Sequence, residues 1–294
     1  MNKHHGLPRL LACLTFPILL TVAVAQTSAP ATKSAQPATP STPPAKVDAS
    51  APIQKQNNAR FLELHESFLQ RAKSGPIDLL FLGDSITEGW KKAPHIWEHY
   101  YGKLQPANFG IGGDQTQHVI WRIENGELDG IHPKVVVLML GTNNTASHTA
   151  EEIAAADKKI VELIRAKIPS TKVLVLAVFP RGARKNKEGV ITPEAIAEAS
   201  RRMAVIDALN PMLAKLDDGV NVRFLNINER FLGQDGKIPF PIMPDQLHPT
   251  AAGYQLWAEA MQPLLDEMLN PPAAKQSSAT DTPSTKAPAA ASAH

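Results

Sequence analysis

Short, mostly apolar runs recur through the middle of this chain, and each is too short to be a buried helix. Residues 135–140 and 173–179 are the clearest, 77–82 is similar, 222–227 is weaker and 106–111 weaker still. A run with apolar side chains at successive positions has no face to offer water. It suits a strand covered on both sides, as in a parallel sheet. Helical patterns lie around these runs. Residues 58–73 place Phe61, Leu62, Leu64, Phe68 and Leu69 at helical spacing. Residues 114–127 follow the second run, with Asp114 as the expected N-cap. Residues 149–168 open with Thr149 and Glu152, a capping box, and carry Ile153, Ile160, Ile164 and Ile168 at turn spacing. Residues 192–216 open with a capping threonine and Pro193 at the first helical position. Residues 250–269 form a last helix. The alternation predicts a doubly wound α/β fold: a three-layer α/β/α sandwich around a five-stranded parallel sheet. In such folds the active groups collect at the carboxyl ends of the strands.

The ends of the chain have a different composition. Lys3 and Arg9 precede an apolar stretch over residues 10–24, which ends in Ala23-Val24-Ala25. That is the pattern of an export signal, with cleavage expected after Ala25. The stretch is broken by Thr15, Pro17 and Thr21, and a membrane span needs about 20 apolar residues. No transmembrane segment is expected. Leu10-Leu11-Ala12-Cys13 resembles a lipid-attachment box only faintly, because most of the apolar stretch follows the cysteine. Residues 26–56 and 271–294 are rich in Ala, Pro, Ser and Thr and contain no aromatic residue. They are read as disordered spacers on either side of a folded domain over residues 57–270. The expectation is an exported protein, periplasmic or secreted.

Charge and cysteine content exclude two classes of function. The 30 basic residues barely exceed the 28 acidic ones, so there is no cationic excess to hold nucleic acid. Cys13 is the only cysteine, so no disulfide framework can form within the chain.

Polar motifs fall at the ends of the apolar runs. The first run leads into Gly83-Asp84-Ser85, where a serine just past a buried strand is placed to face a ligand or to cap a helix. The G-x-S-x-G elbow is absent from the chain. The second leads into Asn108-Phe109-Gly110-Ile111-Gly112-Gly113-Asp114. Its glycines allow tight turns that expose N–H groups, but Gln115 stands where a dinucleotide fingerprint needs glycine. The third leads into Gly141-Thr142-Asn143-Asn144, where an asparagine amide can donate into a site. Asn143-Asn144-Thr145 is formally a glycosylation sequon, discounted because a strand end facing the site is a poor acceptor. Before the last helix stands Pro244-Asp245-Gln246-Leu247-His248-Pro249. An aspartate three residues before a histidine can orient its imidazole. One Asp and one His are too few ligands for zinc, and no metal site is expected. Together these motifs supply a nucleophile, backbone and side-chain donors, a base and its orienter, the parts needed for acyl transfer.

Taken as a set, Gly83-Asp84-Ser85, Gly113, Asn143 and His248 resemble the four blocks of the SGNH (GDSL-type) hydrolases. Within that family the likeness is strongest to the catalytic α subunits of platelet-activating-factor acetylhydrolase isoform Ib. Asn-Phe-Gly-Ile-Gly-Gly-Asp, Asn125-Gly126-Glu127-Leu128 and Pro180-Arg181-Gly182 carry it. The resemblance implies a flavodoxin-like fold and a Ser85–His248–Asp245 triad. It implies an oxyanion hole made of the Ser85 and Gly113 N–H groups and the Asn143 amide. It implies no cofactor. The resembling subunits form dimers, so a homodimer is among the arrangements expected.

These readings combine into one expectation: an exported serine esterase that cleaves short-chain, chiefly acetyl, esters of a carbohydrate or a small lipid. A lysophospholipase or thioesterase on the same triad, and a noncatalytic carbohydrate-binding domain, are the alternatives. Trp90, Trp97 and Arg181 are candidates for the pocket wall or for plain packing.

Overall fold

The structure is a computed structural model and describes residues 47–270. The expected signal peptide, the C-terminal tail and most of the N-terminal spacer lie outside the described residues. The elements run α1 (Ala59–Lys73), β1 (Leu79–Gly83), α2 (Ser85–Glu88), α3 (Pro94–Tyr101), β2 (Pro106–Gly110), α4 (Thr116–Arg122), β3 (Val135–Met139), α5 (Ala150–Lys167), β4 (Lys172–Leu176), α6 (Pro193–Ala214), β5 (Val222–Leu225) and α7 (Ala251–Leu269).

The five strands form one parallel sheet in the order β2-β1-β3-β4-β5, as the alternation predicts. Strand side chains alternate between two cores. Leu80, Leu82, Val136, Leu138, Val173 and Val175 face the layer built by α1, α4, α5 and α6. Leu79, Phe81, Val135, Val137, Leu174 and Leu176 face the layer built by α3 and α7. From β1 the chain turns to β2 on one side and then comes back to β3 on the other. That reversal opens a crevice at the carboxyl end of β1, where ligands bind in folds of this type.

The helix starts follow their caps. The side chains of Asn58, Thr149, Thr192 and Thr250 accept hydrogen bonds from the N–H groups of Phe61, Glu152, Ala195 and Gly253. Three expectations need correction. Asp114 does not cap α4; Gln115 takes that place, because Asp114 is fully buried among cations. The helix also stops earlier than expected. It ends at Arg122 and runs into a wide turn over Ile123–Glu127, in which Gly126 adopts φ +94°, a conformation that ends regular helix.

The third correction concerns the spacer. Residues 47–56 do not lie free but form a strap along α4 and α5. Ala49 is buried, and its carbonyl accepts from Thr116 Oγ1 at 2.8 Å. Ile53 N donates to Gln117 O at 3.1 Å. Lys159 Nζ donates to Ser50 O at 2.9 Å, and His148 Nε2 lies 2.8 Å from Val47 O. A strap held through its backbone needs few apolar side chains, so its composition looks like that of a disordered segment.

Behind the future site, Phe81 sits inside an aromatic cluster, with ring centroids 4.9 Å from Trp97, 5.1 Å from Tyr101, 5.8 Å from Trp90 and 6.3 Å from Trp257. Trp90 is therefore core packing and not pocket wall. Phe81→Ala leaves a hole that four rings cannot close without moving. It should cost about 3–5 kcal/mol, read as a lower urea midpoint; a loss under about 1 kcal/mol would show that the cluster collapses freely.

Candidate active site

Ser85 opens α2, two residues after β1 ends. Asp84 caps that helix through the bond from Ile86 N to Oδ1, 2.9 Å. The turn from strand to helix is tight. A Cβ on Gly83 would stand 2.2 Å from Thr87 Oγ1 and 2.5 Å from Met139 O. Only glycine lets α2 fold back this closely onto the sheet, which leaves Ser85 at the surface of the crevice, partly exposed.

His248 comes from the other end of the sequence, in the loop before α7. Its Nε2 lies 2.9 Å from Ser85 Oγ. Its Nδ1 lies 2.6 Å from Asp245 Oδ2, and its backbone N–H donates to Asp245 Oδ1 at 2.8 Å. With Nδ1 donating to the carboxylate, Nε2 is left as the acceptor for the serine hydroxyl. Burial pushes the Asp245 carboxyl up, but the two His248 bonds, the imidazole charge and Arg184 outweigh it and hold it well below the usual carboxylate range. Arg184 Nη2 donates to Asp245 Oδ2 at 3.0 Å; that guanidinium is half exposed, so solvent weakens its pull.

Gly113 and Asn143 lie at the same end of the sheet as Ser85 because β2 and β3 flank β1. Gly113 follows β2 and takes φ +74°, where a side chain would be strained. Its N–H meets no protein acceptor among the described residues, while the flanking N–H groups of Gly112 and Asp114 donate to Glu88 Oε2 and Ile111 O. The Ser85 N–H belongs to the first turn of a helix, which has no intrahelical acceptors. Asn143 follows β3. Its Nδ2 donates to Asp114 O at 2.8 Å and to Asp84 Oδ2 at 3.2 Å, so the amide is oriented from both sides. All the residues expected at the site therefore come together at one end of the sheet.

Several charged residues stand around them, and of these Arg122 and His118 gave no motif in the sequence. Arg122 is fully buried and donates to Phe109 O at 3.0 Å, Gly83 O at 3.4 Å and both Glu127 oxygens at 2.8 and 2.9 Å. Its Nε also lies 3.1 Å from Asp114 Oδ2, though poorly aligned for a hydrogen bond. His118 accepts from Gln115 N at 3.0 Å; burial, with Lys55 and Arg122 nearby, pulls it down to about 4, so it is neutral there. Arg181, after β4, donates to Thr142 Oγ1 at 3.2 Å, and burial beside Arg202 and Arg184 pulls it down to about 10. Among the described residues no group of three or more His, Cys, Asp or Glu is placed to hold a metal.

Two grooves open beside the crevice. One, of about 730 Å³, is lined by Ile191, Ile196, Phe240, Pro244, Arg184 and Asp245. The other, of about 640 Å³, runs past Arg181, Met203 and Ile238. Ser85 and His248 line neither; the grooves reach the histidine loop through Gln246, which lines both, and Asp245, which lines the first.

Comparison with known proteins now decides the family. The GDSL-like lipase/acylhydrolase family profile matches residues 81–256. The chain belongs to that family. It is accordingly a hydrolase acting on esters. Bovine platelet-activating factor acetylhydrolase IB subunit alpha1 is 36% identical over 219 residues, covering 74% of this chain and 88% of the relative. The rat alpha2 subunit is 36% identical over 214 residues, covering 73% and 87%. The solved structure of a GDSL-like lipase from Bacteroides thetaiotaomicron superposes with a TM-score of 0.53 at 20% identity, covering 70% of this chain and 98% of the other, which shows the shared fold.

Asp84 gives the site a pH signature. It is fully buried, and burial, reinforced by Asp114 against the pull of the Ile86 bond, His248 and Lys55, pushes its pKa from 3.8 up to about 7. A raised carboxyl takes up a proton on folding anywhere between those values. Its contribution to stability is therefore complete below about pH 4 and is lost as pH rises towards 7. Asp84→Asn keeps a capping oxygen but cannot ionise. Its stability relative to the parent should grow across that window and level off above it, read from urea midpoints; a pH-independent difference would show that Asp84 stays ionised in the fold.

Proposed function

We propose that this chain is an exported serine esterase that hydrolyses short-chain, chiefly acetyl, esters of a carbohydrate or small lipid, with Ser85 as nucleophile, His248 as base and Asp245 as its orienter. The observation that carries the reading is the unbroken chain from Ser85 Oγ to His248 Nε2 and from His248 Nδ1 to Asp245 Oδ2, 2.9 and 2.6 Å. It stands beside an N–H at Gly113 that meets no protein acceptor among the described residues. The acetylhydrolase names of the 36%-identical relatives support the acyl-group assignment.

In this mechanism Ser85 Oγ attacks the ester carbonyl as its proton passes to His248 Nε2. Asp245 steadies the imidazolium through Nδ1–H. The carbonyl oxygen gains charge and is met by the N–H groups of Ser85 and Gly113, and by Asn143 Nδ2 once it gives up its longer bond to Asp84 Oδ2. Each such donor typically lowers the barrier by about 3 kcal/mol. His248 returns the proton to the departing alkoxide, leaving an acyl-serine. Water then attacks with His248 as base, and the carboxylic acid leaves.

The apolar groove that runs past Ile191, Ile196 and Phe240 to Asp245 favours a second reading on the same triad, a lysophospholipase or thioesterase with a longer chain. Export follows from the first 25 residues: protein recovered outside the cytoplasm should begin at Gln26 by N-terminal sequencing, and an intact Met1 would overturn it.

Hydrolysis of p-nitrophenyl acetate, butyrate and octanoate tests the activity. Acetate should be the best substrate, with turnover lost in Ser85→Ala while the circular dichroism spectrum is kept. Preference for octanoate would favour the long-chain reading. Undiminished turnover in Ser85→Ala would overturn the nucleophile assignment.

A further inference from the structure

Gly112 and Gly113 share one peptide group. In a trans peptide the C=O and the N–H point in opposite directions, so whatever grips the oxygen also aims the hydrogen. Rotating this peptide requires change only in ψ of one glycine and φ of the next. Neither carries a side chain to resist the turn, and both orientations are within reach of the bare chain. Something must choose between them.

The grip comes from Lys55, on the strap. Its Nζ donates to Gly112 O at 2.9 Å and to Asp114 Oδ1 at 2.8 Å, so one ammonium holds the residues on both sides of Gly113. It is close: a Cβ on Gly113 would lie 3.5 Å from it. The ion pair is well sheltered, with the Lys55 side chain 14% exposed and that of Asp114 wholly buried. The preceding peptide is held from the opposite side, where Gly112 N donates to Glu88 Oε2 at 2.8 Å. Glu88 is itself held by Arg60 and Lys91. Gly112 is thus clamped between an anion on its N–H and a cation on its C=O.

We propose that Lys55 is a positioning residue of the esterase site: its ammonium fixes the Gly112–Gly113 peptide so that the Gly113 N–H faces away from the strap, towards the carbonyl oxygen attacked by Ser85. A cation on the oxygen of a peptide also polarises its N–H and makes it a stronger donor. The inference rests on the proposed role of Gly113 as an oxyanion donor. It makes the strap part of the working enzyme and not merely a tether to it.

Lys55→Met removes the charge and keeps the stem. With p-nitrophenyl acetate, well below the unfolding midpoint, kcat should fall about ten- to hundredfold, less than or comparable to loss of a whole oxyanion donor. KM should stay within about twofold, because the interaction matters to the transition state and not to ground-state binding. Affinity for a short alkylboronic acid, which forms a tetrahedral anion on a nucleophilic serine, should fall in parallel with kcat. Lys55→Cys alkylated with 2-bromoethylamine rebuilds an ammonium at similar length and should recover most of the lost kcat, with the parent treated alongside to account for Cys13. Should Lys55→Met fail to fold, Lys55→Gln, which keeps a neutral donor, is measured the same way and should show the same split. Full kcat in a folded Lys55 variant, a change confined to KM, or a loss matched by the unfolded fraction overturns the proposal. Ser85→Ala run in parallel separates the two failures: activity surviving there sinks the nucleophile assignment, whereas a dead Ser85→Ala beside a fully active Lys55→Met sinks only the role of Lys55.

Discussion

Everything at the site depends on how closely α2 is pressed onto the ends of β1 and β2. A Cβ at Gly110 would lie 2.2 Å from Glu88 N, and one at Gly89 would lie 2.0 Å from Tyr254 OH. Three glycines, counting Gly83, therefore let a one-turn helix sit where a side chain would otherwise stand. Because α2 is so short, its position fixes Ser85 and Glu88 together. Ser85 faces the crevice while Glu88 reaches the Gly112 N–H. Tyr254 closes the arrangement from α7, donating to Ile86 O at 2.7 Å. The same helix that carries this tyrosine begins three residues after His248. Ser85, the Gly112–Gly113 loop and His248 are thus located by one contact region.

The buried charges below the loop have a related purpose. Arg122, Asp114 and Glu127 are all fully buried, and Glu127 Oε2 also lies 3.3 Å from His65 Nδ1. Desolvating such ions costs much of what their attraction returns, so they contribute little to net stability. What they supply is geometry. Arg122 binds carbonyls at the ends of both β1 and β2 and stands against Asp114, one residue beyond Gly113. An apolar core at this point would let the loop settle in several ways; a set of directed bonds leaves it one.

The central strands were legible in the sequence because β1, β3 and β4 are covered on both faces and so are apolar at nearly every position. The edge strands were faint for the opposite reason. β2 opens with Pro106 and carries Asn108, while Arg223 in β5 reaches out to Glu267. No periodicity marked α2 or α3, since helices of one and two turns complete too few repeats. The chemistry-bearing residues were readable as motifs because glycine, serine, asparagine and histidine are rarely assembled at strand ends for packing alone. Their supports were not. Arg122 and Lys55 look like solvated charges until the fold encloses them, Glu127 stands in a family block that does not tell its role, and Asp114 looks like a helix cap until two cations are found against it. The strap leaves no apolar pattern because it is held through its backbone groups and the Lys55 ammonium, with few apolar side chains.

The histidine loop shows how local and distant forces divide the work. Asp245 holds His248 through both carboxylate oxygens and also accepts from Leu247 N at 3.2 Å, so the acid and base form a unit within four residues. To close that unit Gln246 must take φ +59°, a left-handed conformation that costs a residue with a Cβ about 1 kcal/mol or more. Glycine would take it more easily, yet the glutamine side chain is in use, with Nε2 donating to Ile238 O at 3.2 Å and Met243 O at 3.3 Å. Its carbonyl accepts from Gly182 N at 2.9 Å, which ties the loop to the segment after β4. The strain is therefore held by bonds on three sides, and relaxing it would rotate Asp245 away from the imidazole it orients. A pair that is self-contained in sequence is aimed at Ser85 only because these more distant contacts keep its backbone in a conformation it would not choose alone.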